Sequence, residues 1–358
     1  RFDQERERFV RHLPDPENTE DITRNRVLGI QEDVNGLLWL STRGNGLNIF
    51  DPRSGGFTKN IHDSGNPESL SMDDLGAIYN DGTGILWIGT FGGGINKFAY
   101  LRRKFVHYAH DPRDPESLTH NDLTSVFEDS SGMLWITTFG GGINRFDPEA
   151  KTFRHYRHDP QNPESLSSDG VHSIAEGSNG IFWIGTAAGV NRLAPGEQTF
   201  SRYQHNEQDP RSLSHRSVSA VFEDSAENLW VGTWQRGLNL FDRKTETFSH
   251  FIYDHKNPHS LSHNLVNEIY EDSHGTLWVA TIKGLNQFVR ETGTFHRYLH
   301  DPYDPESLSN SNIRWVYEDR EKNMWIGTNR GLNRFDRDTE TFTRYTKKDG
   351  LPNNVIYC

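Results

Sequence analysis

The stretch "NDLTSVFEDSSGMLWITTFGGGINRFDP", Asn121 to Pro148, alternates short apolar runs with Gly- and Asp-rich turns. Such a pattern reads as consecutive antiparallel strands. Its tryptophan, Trp135, is one of seven in the same phrase: Trp39, Trp87, Trp135, Trp183, Trp230, Trp278 and Trp325. The intervals are 48, 48, 48, 47, 48 and 47 residues. Seven copies at this period predict an all-β fold, a seven-bladed β-propeller of four-stranded antiparallel blades. In the second copy "LGAIYND" is strand a, "ILWIGT" strand b, "GINKFA" strand c and "KFVHYAH" strand d. The other copies divide the same way.

Turn chemistry marks the boundaries. Strands a and b are joined by "DVNG", "DGTG", "DSSG" or "DSHG". Asp can accept from the amides that follow it, and Gly supplies a left-handed residue. Where Glu227 and Lys322 replace that Gly, the next residue is Asn228 or Asn323. Asn tolerates left-handed backbone, so it is expected to take over the role. The later acidic ligands of a calcium loop are absent, so these turns read as hairpins.

The b–c turn is the one place where the repeat changes length. Blades 1, 2, 3 and 5 hold three residues before its Gly, whereas blades 4, 6 and 7 hold two. In a propeller this turn emerges on the same face as the d–a connection, here the long "HDPRDPESLTHND" form. Sites favour variable loops on a rigid scaffold, so the b–c and d–a face is the expected binding face.

The frame runs to both ends. Phe2 falls in register with Phe50, Phe98 and Phe146, and Phe9 with Phe57, Phe105 and Phe153. Residues 1–358 are thus read as one propeller domain, with 1–12 and 354–358 as partial flanking repeats; Val355-Ile356-Tyr357 would begin a further strand a. One expected closure uses Arg8–His12 as the outer strand of the blade built from 312–336, displacing Phe342–Tyr345. An eighth, incomplete blade from both termini is the alternative. It would lack a strand b and leave strand edges unpaired.

Composition limits the function classes. Lys and Arg total 38 against 50 Asp and Glu, a net charge of −12. That disfavours wholesale binding to nucleic acid or anionic membrane, while leaving room for a local basic patch. The single Cys358 rules out an internal disulfide. No apolar run reaches membrane-spanning length and no signal-peptide pattern opens the chain. A start on Arg1-Phe2-Asp3 suggests a piece of a longer polypeptide.

Written as "V.SIFEDS.G.LWIGT.GGGLNRFDP.T..F..Y.HDP..PESLS.N", the repeat resembles the two-component regulator propeller family, across essentially the whole chain. That resemblance implies the sensor region of a bacterial hybrid histidine kinase or related signalling protein. It further implies a periplasmic or extracytoplasmic location, a membrane-anchored parent, and often recognition of glycans. The motif itself carries no catalytic or ligand signature.

Residues that recur once per blade are expected to be structural: the seven Trp, the "GLN" asparagines, and His62, His110, His158, His205 and His300. A metal needs converging ligands, and equivalent positions splay around a ring, so no metal or cofactor is expected. Residues that break the repeat are the candidate ligand contacts. In strand a these are His172, Glu268, Arg314 and Trp315, with Glu268 an expected partner of Arg314. On the b–c turns they are Arg43, Phe91, Phe139, Trp234, Arg236, Lys283 and Arg330. Exposed aromatics stack on sugar rings, and Arg or Lys pairs with carboxylate or sulfate.

The leading expectation is a non-enzymatic binding or sensing module for an oligosaccharide or other polar small ligand. A protein–protein or homodimerisation scaffold is the alternative. A metal-dependent propeller lyase is the third reading; His172 and Glu268, two blades apart, are the only repeat-breaking acid–base groups near the channel.

Overall fold

The computed structural model describes residues 27–349 except 34, 83, 100–103 and 320, together with 2–3, 8–9 and 351. Seven four-stranded antiparallel sheets span 27–60, 75–108, 123–156, 171–203, 218–251, 266–298 and 313–345. They are blades 1 to 7 of a seven-bladed β-propeller, each with its strands a to d adjacent in chain order. Two compact units divide the chain, 12–171 and 172–358 with 1–11. Blades 1 to 3 fall in the first and blades 4 to 7, from His172 on, in the second.

Within each unit the repeated tryptophans are the packing element. Trp39 meets Phe98 of the next blade at 5.1 Å between centroids, and Trp87 meets Phe146 at 5.5 Å. In the other unit Trp183, Trp230 and Trp278 meet Phe241, Phe288 and Phe335 at 5.5, 4.9 and 5.4 Å. Each ring therefore buries itself against strand c of the following blade, in edge or tilted geometries that aromatic quadrupoles favour.

The other recurring residues pin the connections. The side-chain oxygens of Asn239, Asn286 and Asn333 accept the amides of Ser214, Ser262 and Ser309 at 2.8–2.9 Å. His62, His110, His158, His205 and His300 each bond through Nδ1 to a carbonyl eight residues on, at 2.6–2.8 Å. These groups hold the long loops to the sheets.

Two expectations are corrected. Thr341–Tyr345 is the outer strand of blade 7, paired with Gly331–Asp336, so it is not displaced. Arg8–Phe9 instead pairs with Phe2–Asp3, Phe9 opposite Phe2, as Phe57 stands opposite Phe50. Residues 10–12 and 355–357, which the expectations also used, lie outside the described residues. The second correction concerns the a–b turns: Glu227 and Lys322 themselves hold positive φ, 61° and 67°. Asn228 and Asn323 serve differently, donating their side-chain amides to Asp224 and Asp319 at 3.0 Å. Those added bonds help offset the strain of a non-Gly left-handed residue.

Candidate functional site

The candidate face is built where each b–c turn meets the inner end of a d–a connection. In blade 5 the Trp234 amide donates to Ser217 O at 3.2 Å and the Gly237 amide to Asn264 O at 2.8 Å. Gly237 has φ 75°, and a Cβ there would meet Phe251 O at 2.2 Å, so the turn requires glycine. The Thr that ends strand b fixes the turn from inside: Thr233 Oγ1 accepts the Arg236 amide at 3.0 Å. Thr281 and Thr328 do the same for Lys283 and Arg330 at 3.2 and 3.0 Å. The side chains of Arg236, Lys283 and Arg330 are thus exposed on firmly held backbone.

Trp234 is 42% exposed, unlike the buried tryptophans of the repeat. It stands edge-on to His172, 6.1 Å between centroids at 86°. His172 is itself held by a 2.8 Å bond between Nδ1 and Val218 O. Asn267, its counterpart in blade 6, donates to Ile313 O at 2.5 Å. The repeat-breaking column of strand a therefore clasps neighbouring blades.

Glu268 belongs to the same clasp. Its carboxylate accepts the Val316 amide at 2.6 Å, while Arg314 donates to Asn329 Oδ1 at 2.8 Å. The expected Glu268–Arg314 pair is not formed. Ser173 Oγ accepts the Val221 amide in the same way at 3.1 Å, also 48 residues away, so Glu268 fills a scaffold position with an ionisable group. Burial pushes its pKa up to about 8, against a smaller lowering by the Val316 amide. Trp315 lies across Gly327, its register partner, and packs against the buried group of Trp325, Tyr345 and Leu351.

In the unit of blades 1 to 3, Arg43 lies over the Phe91 ring at 5.1 Å and 3.6 Å from Asp74. Phe139 is 75% exposed. His172 and Glu268, the pair on which acid–base chemistry would rest, are each committed to a backbone bond.

Sequence reasoning passed over Arg216, exposed at the inner end of the connection into blade 5, and His263 in the connection into blade 6, where it is the counterpart of His215. It also passed over a depression at the outer ends of blades 5 and 6, lined by His250, Tyr253, His255, His259 and Thr294 among others. The available signal was the connection "YDHKNPHSLSH", where Tyr253 and His259 replace the usual His and Glu. His263 accepts the Leu265 amide through Nδ1 at 2.9 Å. Burial first, and then Lys283, lowers its pKa.

The two component regulator propeller family matches this chain at residues 165–188, 212–235, 260–283 and 307–330. The chain carries that family's repeats in these four stretches, each running from a connection through strands a and b. No curated protein matches it in sequence. Among solved structures it is similar to the extracellular domain assigned to the hybrid two component system BT3049 from B. thetaiotaomicron. That likeness has 24% identity and a TM-score of 0.64, over 93% of this chain and 48% of the other. The chain thus spans about half the length of that domain. Virginiamycin B lyase from Staphylococcus aureus is similar at 14% identity and a TM-score of 0.56, covering 84% and 91%. YCF48 from Cyanidioschyzon merolae is similar at 11% and 0.57, covering 94% and 98%. At these identities the likeness establishes the fold.

Proposed function

We propose that this propeller is the extracytoplasmic ligand-binding sensor module of a membrane-anchored signalling protein of the two-component type. Its ligand, an oligosaccharide, would sit on the b–c and d–a face around Trp234 and Arg236. The observation that carries this reading is the exposed Trp234 ring beside the exposed Arg236 on a rigid turn, the one b–c turn that pairs a tryptophan with a cation; blades 2 and 3 carry Phe-Gly-Gly there and blade 4 Ala-Ala. A ring face offers stacking to a sugar, and a guanidinium offers paired donors to its polar groups. The two component regulator propeller repeats and the likeness to an extracellular domain of a hybrid system support a signalling role. A ligand would act by favouring one packing or dimer geometry of the parent protein over another.

Calorimetric titration with a panel of oligosaccharides tests the placement. Binding by the native chain that is lost in Trp234→Ala/Arg236→Ala, with unchanged thermal stability, is the expected result. Binding that survives the double substitution sinks the placement. A ligand-independent dimer in light scattering, with no saccharide bound, would favour a scaffold role.

A further inference from the structure

We propose that the face of blades 5 to 7 selects a saccharide bearing successive anionic groups, sulfate or carboxylate, with Arg216, Arg236, Lys283 and Arg330 as its cation set. The inference rests on the reading of this face as a ligand surface and deepens it.

The sign of the face is set by its inner segments. In blades 5 to 7 the b–c turns at 234–236, 282–283 and 329–330, with the adjoining connection ends 214–217, 262–265 and 309–312, contain those four cations and no carboxylate. Counterpart positions in blades 2 to 4 read the other way, with Asp73, Asp74, Asp122 and Asp169 and no Lys or Arg. An unpaired cation-rich surface in a chain of net charge −12 is against the trend of its composition.

The pairing state of these cations separates a site from an ordinary solvated surface. On the a–b side of the same unit, Arg290 and Arg337 each bridge two carboxylates, and Arg243 pairs with Glu223. Arg216, Arg236, Lys283 and Arg330 form no ion pair with any described residue. Nearby carboxylates are occupied or outward: Asp209 and Asp254 cap amides in the outer turns of their connections. Glu268 holds the Val316 amide. His215 and His263 accept amides through Nδ1, at 3.1 and 2.9 Å, which leaves each ring able to donate from its other nitrogen.

Three of the four cations also occupy equivalent places. Arg236, Lys283 and Arg330 each follow the strand-b Thr whose hydroxyl holds their own amide. The turns present one cation per blade on fixed backbone, which suits a ligand with repeated anions better than a single one. Guanidinium and ammonium groups bind sulfate and carboxylate through charge-assisted hydrogen bonds.

Calorimetry with a fully sulfated tetrasaccharide, a tetragalacturonate and neutral cellotetraose, at low and high salt, tests this. One or both anionic probes should bind about tenfold or more tightly than cellotetraose, with the gap shrinking as salt screens the exposed charges. The sulfated and uronate arms identify which anion is preferred. Arg216→Gln/Lys283→Gln/Arg330→Gln should abolish the gap between anionic and neutral probes and leave the melting temperature unchanged. Equal binding of charged and neutral probes, or a gap that survives the triple substitution, overturns the inference. Equal binding to duplex DNA of matched charge also overturns it, as general polyanion attraction. Should cellotetraose bind equally well and lose its site in Trp234→Ala/Arg236→Ala, the face reading stands and only the anion preference falls. No binding of any probe overturns both.

Discussion

Arg290, just past strand c of blade 6, donates through Nη1 to the Asp224 carboxylate of blade 5 at 2.8 Å. Its Nη2 reaches Glu271 of its own strand a at 2.8 Å. Asp224 also accepts the Trp230 indole at 2.9 Å, so one buried carboxylate links its blade's core tryptophan to the following blade. Arg337 repeats the arrangement with Asp272 and Glu318 at 2.5 and 2.7 Å. The scaffold behind the candidate face is therefore tied blade to blade by ionic clasps as well as by aromatic packing.

Arg290→Ala should destabilise the protein by about 1–3 kcal/mol, less than a fully buried pair would cost because the Arg side chain is 35% exposed to screening water. The Asp224 side chain is 0% exposed and keeps only its neutral donors when the guanidinium goes. Denaturant unfolding measures the loss. A change within a few tenths of a kcal/mol would show that the clasp does not hold the blades.

Acid should loosen the same clasps. Burial alone would raise the Asp272 pKa, but bonds from the Trp278 indole, Arg337 and the Thr276 amide together bring it below the ordinary carboxylate range. A native pKa below the unfolded one means stability that is present above about pH 4 and is lost as pH falls through the native value. Melting temperature should drop on that acid limb, and Asp272→Asn should flatten the drop while lowering stability at neutral pH. Parallel acid limbs for both proteins would show that Asp272 does not contribute.

Blade 4 solves the same problem with a different residue. Asp33, Asp129, Asp224, Asp272 and Asp319 each accept their own blade's indole at 2.8–3.0 Å, but blade 4 has Gly177 at that position. Glu223 of blade 5 reaches back to the Trp183 indole at 3.2 Å and to the Ser178 amide at 2.9 Å. A Cβ on Gly177 would meet its Oε2 at 2.5 Å. Gly177→Asp should therefore cost about 1–3 kcal/mol by crowding two carboxylates together. In Gly177→Asp/Glu223→Ser much of that cost should be recovered, giving a coupling in a double-mutant cycle. Additive effects would refute the exchange.

Much of this was readable from the repeat, because a residue that recurs in every blade can be assigned by its period. The buried tryptophans and the asparagine and histidine pins followed that rule, as did Trp234 standing outside the core. What escaped the sequence lies between blades. Arg290 and Asp224 are 66 residues apart, one repeat plus a remainder, and no single-repeat alignment places them together. Glu268 was assigned to the wrong partner because strand a carries a bulge between Val266 and Glu268. Bulges re-aim side chains, and simple alternation along the strand then misplaces them.

Glu268 gives the protein a second pH dependence, of opposite sign to the first. Its carboxyl is raised by burial to about 8, above the unfolded value near 4.5. The native state therefore holds a proton that the unfolded chain releases, and the stability this gives is full below about pH 4.5 and declines until pH passes about 8. Glu268→Gln keeps the shape and an acceptor for the Val316 amide without the charge. Relative to this variant, the native protein should lose on the order of a few kcal/mol between pH 5 and pH 8. Urea unfolding of both proteins across that range reads the difference directly. Since Glu268 ties strand a of blade 6 to strand a of blade 7 through the Val316 amide, the same titration should loosen that seam. Hydrogen exchange at the Ile313–Glu318 amides should then rise with pH in the native protein, beyond the intrinsic increase measured in the Gln variant. A pH-independent stability difference would place the Glu268 pKa near its ordinary value and remove the coupling.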